Sequence, residues 1–167
     1  HNRCRRQRQM CIRDRHKESR SHIGCGAVPA ALAMAEREGT SGKELLNAVV
    51  LGYDIGARTN FSIGVHSMYG AGHSTHTFAP TFGAAASAMA LAGLSADQVR
   101  WGISYTAQQV SGINCWQRDL DHVEKGFDFG GMAGRNGVTA ATLVQSGFTG
   151  VDDCLLYTSD AADDTCC

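Results

Sequence analysis

Residues 81–92, TFGAAASAMALA, are the feature that most limits what this chain can fold into. The segment carries no charge, and apart from Phe82, Met89 and Leu91 its side chains are small. A helix built this way has little bulk of its own to bury. Neighbouring backbones must come close to it, so it predicts a helix surrounded by other helices.

The rest of the pattern agrees. Residues 28–38 (VPAALAMAERE) predict a helix starting near Pro29, a good first-turn residue, and stopping at Gly39. Residues 41–58 place Leu45, Val49, Gly52 and Ile55 at helical spacing, with Ser41 and Glu44 set to form a capping box. The 81–92 helix closes at Gly93, and Ser95 with Gln98 opens a fourth helix that ends before Gly112. Residues 113–130 look irregular. A fifth helix is expected at about 132–145, ending at Gly147. No pair of period-2 strands, internal repeat or low-complexity tract stands out, so the expectation is an all-α domain of antiparallel helices.

The two ends need a separate reading. Codons can be chosen for residues 1–14, followed by the first two bases of a codon for Arg15, such that the reverse complement of that DNA, read in one frame, encodes CLLYTSDAADDTCC, which is residues 154–167 without a mismatch. The core of this DNA resembles a transposon-type sequencing-library adapter. Residues 1–14 and 154–167 are therefore expected to be translated adapter and not native. The native part would be residues 15–153, cut at both sides, and the truncated chain by itself is expected to be inactive.

Setting the ends aside changes what composition implies. Of seven cysteines only Cys25 and Cys115 remain, no Cys-x-x-Cys survives, and a structural zinc site is not expected. Two distant cysteines fit a reducing, cytoplasmic setting. The arginine run at 3–13 drops out, leaving ten Lys/Arg against twelve Asp/Glu over residues 15–153, a net charge of −2. That balance gives no basic patch for nucleic acid. No stretch reaches the roughly 18 apolar residues of a membrane span.

Three polar stretches interrupt the helical pattern: RHKESRSHIGCG, YGAGHSTHTFAP and RDLDHVEKGFDFGG. Each is expected to precede a helix start. Functional groups are often carried on loops held by a rigid scaffold, and a helix start offers free N–H groups to an anion. Three such loops meeting on one side would suit a multiply charged acid.

In these stretches the chain resembles the MmgE/PrpD family. HIGCGAVPAALAMAE is similar to the family's His-Pro…Pro-Ala-Ala-Leu-Ala stretch, and GHSTHTFAPTFGAAASAMALAGLSADQ to its His-Ser-Thr-x-Thr-Phe…Phe-Gly-Ala-Ala segment. EKGFDFGGMAGRNGVTAATLVQSGFTG resembles its lysine loop, Asn-Gly-Val helix and Gly-Phe-Thr-Gly ending. The resemblance covers nearly all of residues 15–153, in family order. It implies part of a large helical domain whose parent also has a smaller lid and usually forms a homodimer. It also implies chemistry on small di- or tricarboxylates without a metal or other cofactor. Dehydration in the manner of 2-methylcitrate dehydratase is expected first. A cis-aconitate decarboxylase-like or epimerase reaction is the alternative within the family, and a non-catalytic packing or dimerisation module is the alternative outside it.

By the same resemblance, His73, Lys125 and His22 are the candidate catalytic residues, and His76 and His16 the candidate substrate contacts. Histidine, with an unperturbed pKa of about 6.5, suits proton transfer near neutrality. Lysine suits the negative charge that develops on a carboxylate when an α-proton leaves. An Asp-Thr element expected ahead of His16 is missing, because Asp14 falls in the presumed adapter. The chain also departs from the family at Ile23, where proline is frequent, and at Asp128, which stands where a histidine is common. Gly130 and Gly131 are candidates for admitting a carboxylate to the start of the fifth helix. Cys25 reads as a packing residue, and His66 and His122 as surface groups.

Overall fold

The computed structural model describes residues 15–121 and 123–155; residues 1–14 and 156–167, which hold nearly all of the presumed adapter, and His122 lie outside them. The described elements are α1 (Gly24–Glu38), α2 (Gly42–Ile63), α3 (Val65–Gly70), α4 (Thr75–Leu91), α5 (Ala96–Gln109), α6 (Val123–Gly126) and α7 (Met132–Gln145). A 3₁₀ turn spans Asn114–Arg118, and a π-helical turn, Phe127–Gly131, joins α6 to α7 without a break. Among the described residues there are no strands, only two isolated bridges, His16 with Ser21 and His73 with Ile113. The domain is all-α, as the periodicity predicts.

Both expected capping boxes form. Ser41 accepts from the Glu44 backbone while the Glu44 carboxylate accepts from the Ser41 backbone, and Ser95 and Gln98 repeat the exchange at α5. Such a cap contributes about 1 kcal/mol. Helix α7 has the predicted bounds. Helix α2 runs on to Ile63 because nothing breaks it before Gly64.

Two helix starts differ from expectation in the same way. Helix α1 begins at Gly24 rather than 28, and α4 at Thr75 rather than 81, so Pro29 and Pro80 each stand sixth in their helix. Proline marks a helix start because it lacks an N–H, but this near the N-terminus it sacrifices only one intrahelical bond. Packing offsets that loss. Helices α1 and α4 cross with Gly26 against Pro80, and a Cβ at Gly26 would lie 2.9 Å from the Pro80 Cβ.

Helix α4 is buried on nearly every side. Its small residues do what their composition requires. Gly52 of α2 and Gly83 of α4 meet backbone to backbone, and the Ser87 hydroxyl donates across the crossing to the Ala48 carbonyl at 2.8 Å. On the opposite side α7 brings Gly137 so close that a Cβ there would sit 2.5 Å from the Ala85 nitrogen. Ala31, Met34, Ala48, Ala88, Met89 and Ala141 fill one end of the core, and Ile23, Ala27, Ala57 and Ala79 the other. The N-terminal end of α4 is thus held on all sides, and the polar stretches gather around it. No helix among the described residues is long and apolar enough to cross a membrane.

Candidate functional site

Three segments distant in sequence are pinned to the start of α4, two through their backbones and the third through a side chain. Asn60, buried in α2, donates from Nδ2 to the carbonyls of Ser19 (3.1 Å) and Thr75 (3.0 Å). The Thr75 hydroxyl donates to the Arg20 carbonyl at 2.8 Å, where Arg20 takes a left-handed turn with φ 48°. These bonds fix the loop that ends in His22. On the other side, the Ser74 N–H bonds the Gly112 carbonyl and the Asn114 N–H bonds the Gly72 carbonyl. Gly112 has φ 124°, and a Cβ there would lie 2.2 Å from Thr77 Oγ1, so only glycine fits. The clamp brings Trp116 over α4. Ser74 is the N-cap of α4, but its hydroxyl does not cap the helix; it accepts from Trp116 Nε1 at 3.1 Å.

The third segment is the π-helical turn. It widens the helix by one residue, a feature that recurs at functional sites. It turns both Asp128 and Phe129 inward, where they are 8% and 5% exposed. The stretch 113–130, expected to be irregular, is therefore largely helical. Gly130 and Gly131 lie inside a continuous helical run, so they do not expose a free helix start at Met132.

The outcome is a cluster centred on Phe129. The His76 ring stacks on Phe129 with centroids 4.1 Å apart, and His22 stacks on both His76 (5.0 Å) and Phe129 (5.6 Å). Trp116 meets His76 and Phe129 edge-on at 5.4 and 4.9 Å. Lys125 Nζ lies 5.4 Å from the Phe129 centroid and 5.6 Å from that of Trp116, a cation held over two aromatic rings. Asp128 Oδ1 accepts from the Thr77 hydroxyl at 2.9 Å.

Electrostatics separates the roles. Burial, together with His22, Lys125 and Arg15, holds the His76 pKa down at about 3. His76 is neutral at physiological pH, so it offers a ring N–H or a lone pair and not a positive charge. Its Nδ1 is buried with no hydrogen bond from the protein. Burial pushes the Asp128 carboxyl up from the usual range; Thr77 and Ser74 pull it back in part, and Glu124 adds to the rise.

Of the five candidates, the fold brings together His22, His76 and Lys125. His73 stands outside that stack: it is exposed, its ring meets Phe78 edge-on at 5.8 Å, and its backbone pairs with Ile113 at the rim. His16 lies on a different side of its loop. It bonds Ser19 Oγ at 2.9 Å, approaches Glu18 at 3.7 Å and contacts the edge of Phe61. His76 was expected on a loop and belongs instead to the first turn of α4. Trp116, Thr77 and Phe129 were not anticipated. The one available signal was Phe129 within the third polar stretch; Trp116 lies just ahead of that stretch, outside it. Among the described residues, no group of three or more His, Cys, Asp or Glu side chains is arranged to hold a metal ion.

Comparison with known proteins gives a consistent picture. The family model described as the MmgE/PrpD N-terminal domain matches residues 8–160. A cis-aconitate decarboxylase-like protein, oryM, of Aspergillus oryzae (strain ATCC 42149 / RIB 40) is 29% identical over 153 residues, covering 83% of this chain and 30% of that protein. The chain thus spans about a third of the length of this curated relative. No solved structure matches it.

Proposed function

We propose that this chain, which belongs to the MmgE/PrpD family, is part of a lyase acting on small di- or tricarboxylates. The observation that carries this reading is the convergence of His22, His76 and Lys125 around Phe129 from three separate polar stretches. Lys125 supplies the positive charge. Held over two rings at the edge of an apolar cluster, it is worth more to a carboxylate than a fully solvated lysine would be. His22 or His73 takes the proton α to a carboxylate, and the resulting charge spreads onto that carboxylate beside Lys125. A nearby acid then protonates the departing hydroxyl, which leaves as water, giving a dehydration of the 2-methylcitrate type. His76, being neutral, contributes a hydrogen-bonding wall and no cationic clamp. His16 contacts substrate only at the periphery. His73 and His16 rest on the family resemblance more than on the cluster.

A second reading, decarboxylation, is favoured by the name of the Aspergillus relative. There, loss of carbon dioxide leaves the same kind of delocalised charge, which a protonated histidine quenches. The parent enzyme would work as a cytoplasmic homodimer without metal or nucleic acid, as the resemblance implies.

The test uses the parent gene recovered with its flanking DNA. The purified enzyme is assayed on 2-methylcitrate for water loss and on cis-aconitate for carbon dioxide release. Lys125→Ala, His22→Ala and His73→Ala are assayed in parallel. Removing a charge-stabilising group of this kind costs about 100-fold or more in kcat. Unchanged turnover in Lys125→Ala and His22→Ala would sink the assignment, and activity on neither acid would sink the substrate class.

A further inference from the structure

We infer that Asp128 recognises a hydroxyl group on the substrate of this site, accepting its hydrogen bond at Oδ2. The inference rests on the site reading above and adds a specificity-determining residue to it.

The geometry sets the two oxygens of Asp128 apart. Oδ1 is committed to Thr77, a residue with no exposed surface, at 2.9 Å. Oδ2 is buried and has no hydrogen-bond partner in the protein. The Ser74 hydroxyl, which accepts from the Trp116 indole and keeps its own proton to donate, lies near enough to favour the charged carboxylate but is not in hydrogen-bond geometry with Oδ2. A buried carboxyl oxygen with no donor loses its hydration and regains nothing, so such groups are rare outside places where a ligand supplies the partner. The main chain puts Asp128 there deliberately, because the π-helical turn directs it inward beside Phe129 and not to solvent.

The neighbours decide which group fits. Lys125, three residues before Asp128, is the natural partner of a substrate carboxylate, whereas a second carboxylate against Oδ2 would be repelled. Oδ2 calls for a donor. On a small hydroxy acid the donor is the hydroxyl, the same group whose loss defines a dehydration. Asp128 would then separate a hydroxylated substrate from an otherwise equal acid that lacks the hydroxyl.

The experiment compares citrate with propane-1,2,3-tricarboxylate, which differs from it by that one hydroxyl. Each is titrated into the full-length parent protein, recovered with its flanking DNA, and binding is followed by calorimetry. Citrate is expected to bind at least about ten-fold more tightly, the usual worth of a hydrogen bond to a charged group. Asp128→Ala should bring the two affinities within about two-fold of each other by removing that same bond. Asp128→Asn keeps an oxygen for Thr77 and a polar group at the second position, and should retain an intermediate preference. Lys125→Ala should weaken both acids equally. Equal binding by the wild type, or a preference that survives Asp128→Ala, overturns the role of Asp128 and leaves the site standing, because the dependence on Lys125 remains. Binding of neither acid, or binding indifferent to Lys125→Ala, overturns the site and this inference with it. If Asp128→Ala does not fold, the wild-type ratio and Asp128→Asn make the same decision.

Discussion

Gly137 offers the sharpest test of how the helices pack. Replacing glycine by alanine inside a helix ordinarily stabilises it by about 1 kcal/mol. At Gly137 the new methyl would meet the Ala85 nitrogen at 2.5 Å, the Ala84 Cβ at 2.6 Å and the Ala84 carbonyl carbon at 2.8 Å. Two of these are backbone atoms in the middle of a buried helix, so relief requires α7 to move away from α4 as a body. Overpacking of this kind costs about 1–3 kcal/mol, and rigid neighbours put it at the upper end. Subtracting the propensity gain leaves a net loss of about 2 kcal/mol, or roughly 4–8 °C in melting temperature for a chain of this size. Gly126 is the control. It is exposed and right-handed helical (φ −63°, ψ −37°), and a Cβ there meets nothing within 4 Å. Gly126→Ala should therefore raise the melting temperature by a few degrees, on the order of 0.5–1 kcal/mol. Thermal melts followed by circular dichroism at 222 nm read both variants. A Gly137→Ala chain that melts at or above the wild type would refute the close α4–α7 crossing, whatever the control does.

Acid stability follows from His76. Its folded pKa of about 3 lies below the ordinary 6.5, so the unfolded chain takes up the proton first as pH falls. The stability contribution is complete above about pH 6.5, is lost progressively toward pH 3 and stays flat below, with a ceiling of about 5 kcal/mol. The raised Asp128 pKa acts with the opposite sign, favouring the folded chain in acid, so the comparison must be between wild type and His76→Phe: urea unfolding from pH 7 to 4 should show a shallower loss in the variant, and parallel curves would count against a buried neutral His76. Asn60→Ala leaves the Ser19 and Thr75 carbonyls without their shared donor and should cost about 2–4 kcal/mol by chemical denaturation; a cost below about 0.5 kcal/mol would mean the His22 loop is not held this way. Trp116→Leu removes the indole donor and one ring of the lysine cradle, and in the whole enzyme it should weaken substrate binding more than Ala substitution of exposed Arg118, as KM values would report.

Much of this was legible because local chemistry decided it. Ser41 with Glu44 and Ser95 with Gln98 satisfy orphan N–H groups within one helical turn, so spacing alone was sufficient. The alanine-rich segment likewise announced its burial, since nothing else suits a helix with so little side chain. The two prolines misled because a proline near a helix start is tolerated whenever packing compensates, and the compensation at Pro80 comes from Gly26, 54 positions earlier. His22 and Lys125 were found by resemblance, but their meeting point was not, since Trp116 and Phe129 arrive by long-range clamps such as Gly112 on Thr77. The sequence ranked His73 as catalytic and His76 as a substrate contact, although both sit in one run of polar residues. Only the start of α4 at Thr75 separates them, placing one in the stack and the other at the rim.

The π-helical turn has a consequence for how such a site can change. Each residue of an α-helix turns the chain by about 100°, so a single deletion within 127–131 would leave α7 seated by Gly137 while swinging everything ahead of it by about that angle. Lys125 would leave Trp116, and Asp128 would lose Thr77, with no substitution at either residue. Charge placement in this domain is therefore controlled by a count of residues as well as by their identity, and a one-codon slip could rewrite its selectivity while the scaffold stays whole.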